Sequence, residues 1–176
     1  MITSQFKTCL YSIFLLLTFS LNAEDLSLSL GTTTGQPGNT ITIKLNLTHT
    51  VQPPTAVAFN LDINYDPNVL ENPSIVLNTQ LVTNKEIAQN KISDGKLRII
   101  CYGINQDIIS QGAIADISFK VKTTAVIGTT QVSISDVVVA NANASAIVST
   151  KTDNSVTIQQ NSLQPPQFVN ITIVNN

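Results

Sequence analysis

The sequence has few of the residues that usually carry out chemistry. Its 176 residues include one His, two Cys and no Trp. It contains no H-E-x-x-H, C-x-x-C or Gly-rich phosphate-binding motif, so neither a zinc site nor a nucleotide site is indicated. A Ser-His-Asp triad or a Cys-His dyad needs a His that is held by a carboxylate and lies beside its nucleophile. No motif in the sequence indicates such a carboxylate or nucleophile for His49. These absences argue against an enzyme, and we expect His49 to be an ordinary residue at the end of a strand.

Charged residues are also scarce. They make up 11% of the chain, with 9 Lys+Arg against 11 Asp+Glu, which gives a formal net charge of −2. A nucleic-acid-binding domain needs a basic stripe or patch, whereas the Lys residues here are scattered. The composition therefore excludes an electrostatically bound nucleic acid as the partner.

The two cysteines cannot form a disulfide within the folded domain. Cys9 precedes the apolar run within residues 1–23, which have the pattern of a signal peptide that is removed, so Cys101 is then left without a partner. Small secreted domains often rely on disulfides, but this one must be held together by the packing of its core.

Residues 1–23 have the pattern of a secretory signal peptide. Lys7 precedes an apolar run over residues 10–21, and the small residue Ala23 follows it. The run is shorter than the roughly 20 apolar residues that span a bilayer, and no later segment approaches that length, so we expect no membrane span. The sequence thus predicts a secreted protein. The extracellular medium, the cell surface and the periplasm are all open as its final location.

The rest of the chain alternates apolar and polar residues with period two. This pattern is typical of strands that bury one face, and turn residues separate the alternating segments at intervals of about ten residues. No window shows the spacing of an amphipathic helix. We therefore predict an all-β sandwich domain over residues 24–158. Residues 159–176 form a polar, proline-containing linker and a C-terminal tail.

Six sequence blocks, in a fixed order, point to one family. They are G-T-T-T-G-Q-P-G-N-T-I-T-I-K-L-N-L-T (31–48), A-F-N-L-D-I-N-Y-D-P-N-V-L-E (58–71), D-G-K-L-R-I-I-C-Y-G (94–103), G-A-I-A-D-I-S-F-K-V-K (112–122), V-S-I-S-D-V-V-V-A-N (132–141) and N-S-V-T-I (154–158). In this order the blocks resemble a cohesin domain, the module by which cellulosome scaffolding proteins hold dockerin-bearing enzymes.

The resemblance implies a fold, a partner and a setting. The fold would be a nine-stranded jelly-roll sandwich without enzymatic activity or a cofactor of its own. The partner would be a dockerin-bearing protein, whose small helical dockerin module carries its own calcium ions and lies across one open sheet face. The setting would be extracellular polysaccharide degradation, with polysaccharide involved only indirectly. The best-known cohesins offer an Asn and an Asp two residues apart on that face, at positions occupied here by Ala58 and Asn60.

Two neighbouring strands supply the candidate partner-binding residues. On the first strand, alternation turns Phe59 and its apolar neighbours inward, so Asn60, Asp62 and Asn64 should face outward. The second strand, residues 97–102, is apolar on both faces, so either a loop covers it or its outward face is a binding patch. The family register places Leu97, Ile99 and Cys101 outward. The predicted partner-binding residues are therefore Asn60, Asp62, Asn64, Leu97, Ile99 and Cys101.

Three other interpretations compete with this one. A structural or adhesive surface domain could use the same fold without a dockerin. A carbohydrate-binding module would normally stack sugars on aromatic rings, but only five aromatic residues follow residue 23 and most of them suit the core. The local acidic group of Asp62, Asp66 and Glu71 could hold Ca²⁺, although its spacing matches no known loop, and capping of a turn by Asp66 is favoured.

Overall fold

The structure is a computed structural model that describes residues 25–160. The predicted signal peptide (1–23) and nearly all of the predicted tail (159–176) lie outside the described residues. Within them, the chain forms strands and no helix. The strands are β1 (Leu26–Leu30), β2 (Thr33–Gly35), β3 (Thr40–His49), β4 (Ala56–Tyr65), β5 (Leu70–Leu77), β6 (Glu86–Ser93), β7 (Lys96–Tyr102), β8 (Gly112–Val121), β9 (Gly128–Asn141), β10 (Ala146–Ile147), β11 (Ser149–Thr152) and β12 (Asn154–Ile158).

The strands build two sheets. The first sheet has the order β11-β1-β3-β8-β5, and the second has the order β2-β12-β9-β4-β7-β6, with β10 added on β9. Most neighbours are antiparallel, but β1 pairs with β11 and β12 pairs with β2 in parallel. The predicted all-β sandwich is confirmed. Nine of the described strands have five or more residues, whereas β2, β10 and β11 are shorter.

The core lies between the two sheets and is built by the period-two alternation. On β1 and β3 every second residue is buried, as the sequence predicts. The rings of Tyr65 on β4 and Phe119 on β8 meet across the core, with centroids 5.0 Å apart at 58°. His49 ends β3, and its Nε2 lies 2.8 Å from the carbonyl oxygen of Ile109, so this imidazole supports the structure as expected.

Turn chemistry accounts for the acidic residue after β4. The backbone N–H of Asn68 donates to Oδ1 of Asp66 over 2.8 Å, which is the side-chain cap expected for the turn. Between residues 25 and 160, no group of three or more His, Cys, Asp or Glu side chains could hold a metal ion. The same part of the chain contains no helix long and apolar enough to cross a membrane.

Candidate functional site

The outward faces of the two sheets differ in chemistry. On the first sheet, polar pairs join β3 to β8: the hydroxyls of Thr42 and Ser118 are 3.2 Å apart, and Nζ of Lys44 lies 3.0 Å from Oδ1 of Asp116. Val76 on β5 is a well-exposed aliphatic residue there. The second sheet instead carries exposed apolar side chains next to one another on its central strands. It is therefore the better candidate for a binding face.

A shallow apolar depression of about 190 Å³ lies on this outward face. The outward residues that line it, called here the apolar patch, are Ala58, Asn60, Ile100, Tyr102, Val138 and Ala140. Strand register brings them together, because Asn60 on β4 lies directly opposite Ile100 on β7 and Val138 on β9. These two aliphatic residues are 41% and 51% exposed, respectively, so the domain leaves them in water. Contiguous exposed apolar side chains of this kind mark interaction surfaces.

The expectation that Leu97, Ile99 and Cys101 face outward is wrong. They are only 2%, 0% and 1% exposed and belong to the core. Register explains why: they pair directly with the inward residues of β4, and directly paired residues on neighbouring strands point to the same side of a sheet. Their place on the outward face is taken by Arg98, Ile100 and Tyr102. Burial also raises the pKa of the Cys101 thiol to about 11, which keeps it neutral.

Asn60 faces outward, as predicted, and lies within the apolar patch. Its side-chain Oδ1 is buried and has no hydrogen-bond partner in the described part of the chain. A buried acceptor without a donor costs free energy, and most such atoms in folded proteins are satisfied. A hydrogen-bond donor brought by a partner would satisfy it.

Asp62 faces outward from β4 but is completely covered by charged side chains. Arg98 donates to it from two nitrogens, Nε to Oδ1 over 2.7 Å and Nη2 to Oδ2 over 2.9 Å. Nζ of Lys96 lies 3.0 Å from Oδ2 of Asp62 and 2.8 Å from Oδ2 of Asp136. We call Asp62, Lys96, Arg98 and Asp136 the charge cluster. Its two cations and two carboxylates balance, so it forms a neutral border beside the apolar patch.

The cluster fixes the ionisation of Asp62. The Arg98 guanidinium holds the pKa of this carboxyl far below its usual value of 3.8, with help from Lys96 and against the opposing effect of burial. Such a carboxylate is already fully engaged and is not free to contact a partner. Asn64, the third predicted residue of β4, is also occupied, since its Nδ2 donates to Oγ of Ser135 over 2.9 Å.

The polar rim continues on the other side of the patch. The Tyr102 hydroxyl donates to Oε2 of Glu86 over 2.9 Å, and this bond raises the pKa of the phenol. Sequence reasoning missed Val138 and Ala140 as patch residues. A signal was present in the continuous apolar run 137–140, which cannot be buried on both faces of a one-sided sheet.

Comparison with known proteins agrees with this architecture. The cohesin domain family model matches residues 26–159, well over half of the chain. No curated protein matches the chain well enough to count as a relative.

Three solved structures illustrate the likeness. The sixth cohesin of scaffoldin B from Acetivibrio cellulolyticus, solved in complex with a mutant Cel5 dockerin, is 26% identical with a TM-score of 0.62, and 76% of this chain and 99% of that one are covered. The cohesin CaCohA2 from Clostridium acetobutylicum is 24% identical with a TM-score of 0.67, over 77% of this chain and 91% of that one. A non-cellulosomal cohesin from the archaeon Archaeoglobus fulgidus is 14% identical with a TM-score of 0.61, with the same coverage of both chains.

The fold and the family match agree over the same part of the chain. The two-sheet sandwich spans Leu26–Ile158, and the matched region ends one residue later. The chain belongs to the cohesin domain family.

Proposed function

We propose that this cohesin domain is a non-enzymatic module that binds a dockerin-type partner through the apolar patch. The observation that carries the proposal is the contrast between the two outward faces. One face carries polar pairs and an isolated exposed aliphatic residue, Val76. The other exposes Ile100, Tyr102 and Val138 together, beside a buried, unsatisfied acceptor on Asn60. An apolar centre with a polar rim is the usual anatomy of a protein interface.

The neighbours support the choice of partner. Several of the similar structures are complexes in which a cohesin is bound to a dockerin. The calcium in such a complex would belong to the dockerin. The predicted signal peptide 1–23 supports a secreted location, and the proposed setting is extracellular polysaccharide degradation, in which the domain would act on polysaccharide only through its partner.

Calorimetric titration of the domain with a panel of calcium-loaded dockerins tests the proposal. We expect micromolar or tighter binding to at least one of them. Ile100→Asp should weaken it at least thirtyfold, as roughly expected for a charge at an interface centre. Val76→Asp is the matched control, since it places the same charge on an exposed aliphatic position of the other sheet and should leave binding unchanged. No heat with any dockerin, in a domain shown to be folded, would reject the proposal.

Sugar binding through the same face is less well supported. In the stretch from residue 25 to residue 160, Tyr102 is the only aromatic side chain that is well exposed, whereas Phe59, Tyr65 and Phe119 are buried. One ring cannot form the flat platform that stacks several sugar units. An adhesive or structural role without a dockerin would be the interpretation to pursue if the titrations fail.

A further inference from the structure

A nearly buried lysine lies against a primary amide at the open end of the β6–β7 hairpin. Lys85 is 8% exposed, and its Nζ donates to Oδ1 of Asn105 over 2.6 Å and to the backbone oxygen of the same residue over 3.1 Å. The lysine stem is closely packed as well, since a Cβ at Gly103 would lie 2.9 Å from Cδ of Lys85. The fold therefore holds the amine and the amide in contact.

The surroundings of Lys85 are unfavourable for a positive charge. Its acceptors are neutral oxygens of Asn105, and burying an ammonium group without a carboxylate costs free energy. A reaction between the amine and the amide would remove this cost. Its product is a neutral secondary amide, and the positive charge leaves for water as an ammonium ion.

The geometry suits attack of the amine on the amide carbon. Cγ of Asn105 is one C=O bond, about 1.2 Å, from Oδ1, so Nζ of Lys85 lies within about 4 Å of that carbon. The backbone N–H of Asp107 donates to the same Oδ1 over 3.1 Å, and would stabilise the negative charge that develops there during attack. Nδ2 of Asn105, the leaving group, is held by the carbonyl of Asn84 over 2.7 Å.

Asp107 also supplies a carboxylate beside the pair. Its Oδ2 accepts from Nδ2 of Asn84 over 2.9 Å, which ties it to the residue before Lys85. In the described part of the chain Asp107 is not ion-paired with Lys85, so a proton would pass between them through one water. The four residues Asn84, Lys85, Asn105 and Asp107 thus contain a nucleophile, an acyl group, a donor to its oxygen and a base.

We propose that Lys85 and Asn105 join in an intramolecular isopeptide bond. Asp107 takes one proton from the Lys85 ammonium, and the free amine attacks Cγ of Asn105. The attacking nitrogen passes a second proton to Nδ2, the Cγ–Nδ2 bond breaks, and ammonia leaves with the proton held by Asp107. The products are a secondary amide and one ammonium ion, so the step needs no oxidant or other reagent. The cross-link is independent of the proposed function.

The bond would close the β6–β7 hairpin at its open end. Lys85 directly precedes β6, and Asn105 follows β7, whereas Asp94 and Gly95 join the two strands at the other end. β6 is an edge strand whose residues are mostly exposed, so few buried contacts hold it in place. A covalent link lowers the entropy of the unfolded chain as a disulfide does, and Cys101 cannot supply a disulfide here.

Intact-mass spectrometry of the full chain, purified in its folded state and then denatured, tests the proposal. Because one ammonia is lost, the wild type should be about 17 Da lighter than the mass of its sequence counted from its observed N-terminus. Trypsin should fail to cut after Lys85. The peptide that contains this lysine should be recovered joined to the one that contains Asn105.

Four variants locate the reaction. Lys85→Arg keeps the positive charge but removes the nucleophile, and Asn105→Ala removes the amide. Both should have the full mass of their sequences and unfold at a lower urea concentration than the wild type. Asp107→Asn should fold but join slowly or not at all. Lys44→Met, which removes a lysine of the other sheet, is the matched control and should still lose one ammonia.

Each result bears on the cross-link. A folded wild type with the full mass of its sequence would overturn the proposal. A mass loss that persists in Lys85→Arg would also overturn it, because the ammonia would then leave from another group. If the mass loss persists in Asp107→Asn, the cross-link stands but Asp107 is not its base.

Discussion

Asp62 shows how one residue can be correctly placed on a face and still have a different role from the one predicted. The alternation of β4 puts it on the outward face, yet Arg98 and Lys96 cover it completely. Its carboxylate is needed to balance two cations whose own side chains are about one-third exposed. At this scale the members of the charge cluster satisfy one another, and under the proposed function the apolar patch would make the contacts with the partner.

Removing the charge of Asp62 should therefore destabilise the domain. We expect Asp62→Asn to lower the free energy of unfolding by about 1–3 kcal/mol, less than for a fully buried pair because the cations can turn toward water. Urea denaturation measures this change. Asp116→Asn, which breaks the well-exposed pair with Lys44, is the control and should change stability little. Equal losses in both variants would contradict the assignment.

The same carboxylate should make stability depend on pH. Because Arg98 lowers the pKa of folded Asp62 below its ordinary value of 3.8, the stabilisation is present above that value and is lost as the pH falls below it. Between about pH 5 and pH 2, the free energy of unfolding of the wild type should thus fall more steeply than that of Asp62→Asn. Parallel curves would show that Asp62 does not titrate as proposed.

Among the elements, the β6–β7 hairpin depends on its turn. Asp94 and Gly95 alone join the two strands, and Gly95 has φ +80°. A Cβ there would lie 2.6 Å from the carbonyl oxygen of Tyr65. The hairpin supplies β7, and hence Ile100 and Tyr102, to the apolar patch.

Gly95→Ala should consequently destabilise the domain by about 1–3 kcal/mol, from backbone strain and the close contact together. Thermal and urea unfolding measure the loss. Gly31→Ala is the control, because its nearest neighbours would be 3.6 Å away and its φ is not in the strained range. A Gly95→Ala domain as stable as Gly31→Ala would show that the turn tolerates a side chain.

The strands with a clear apolar alternation were predictable from the sequence, whereas the mostly exposed strand β6, the register and the bulges were not. The alternation of Phe59 and Leu61 with polar residues is visible in the local sequence, and both residues are buried in the folded strand. β9, by contrast, pairs Ser135 with Asp62 and Val138 with Asn60, so it has one extra residue between the two pairs. Asp136 lies in this bulge with φ +49° and reaches Lys96. No local pattern predicts this change of register, because it depends on which residues of the neighbouring strand are available for pairing.

The orientation of β7 shows the same limit. Both of its faces are apolar, so the sequence left two possibilities open, and the family register favoured the one that the packing excludes. Only the pairing of Ile99 with the buried Leu61 decides between them. The predicted residues of β4 thus lie on the outward side of the sheet, whereas those of β7 lie on the inward side.

At the scale of the whole molecule, the domain should not depend on calcium. Residues 25–160 hold no group of side chains suited to a metal ion, so a chelator should leave the thermal unfolding midpoint of the isolated domain unchanged while abolishing dockerin binding. Calorimetry with and without chelator measures both effects. A midpoint that falls in chelator would mean that the chain itself holds an ion.

The two parallel strand pairs have a mechanical consequence. β1 starts beside His49 at one end of the sandwich, whereas β12 finishes beside Gly35 at the other. A force that pulls residues 25 and 160 apart would draw β1 along β11 and β12 along β2, so the hydrogen bonds of each pair would be loaded in shear and would have to break together. A zipper geometry would break them one at a time at lower force. We therefore expect the strand order that closes the core to make the domain resistant to unfolding by a load applied at residues 25 and 160.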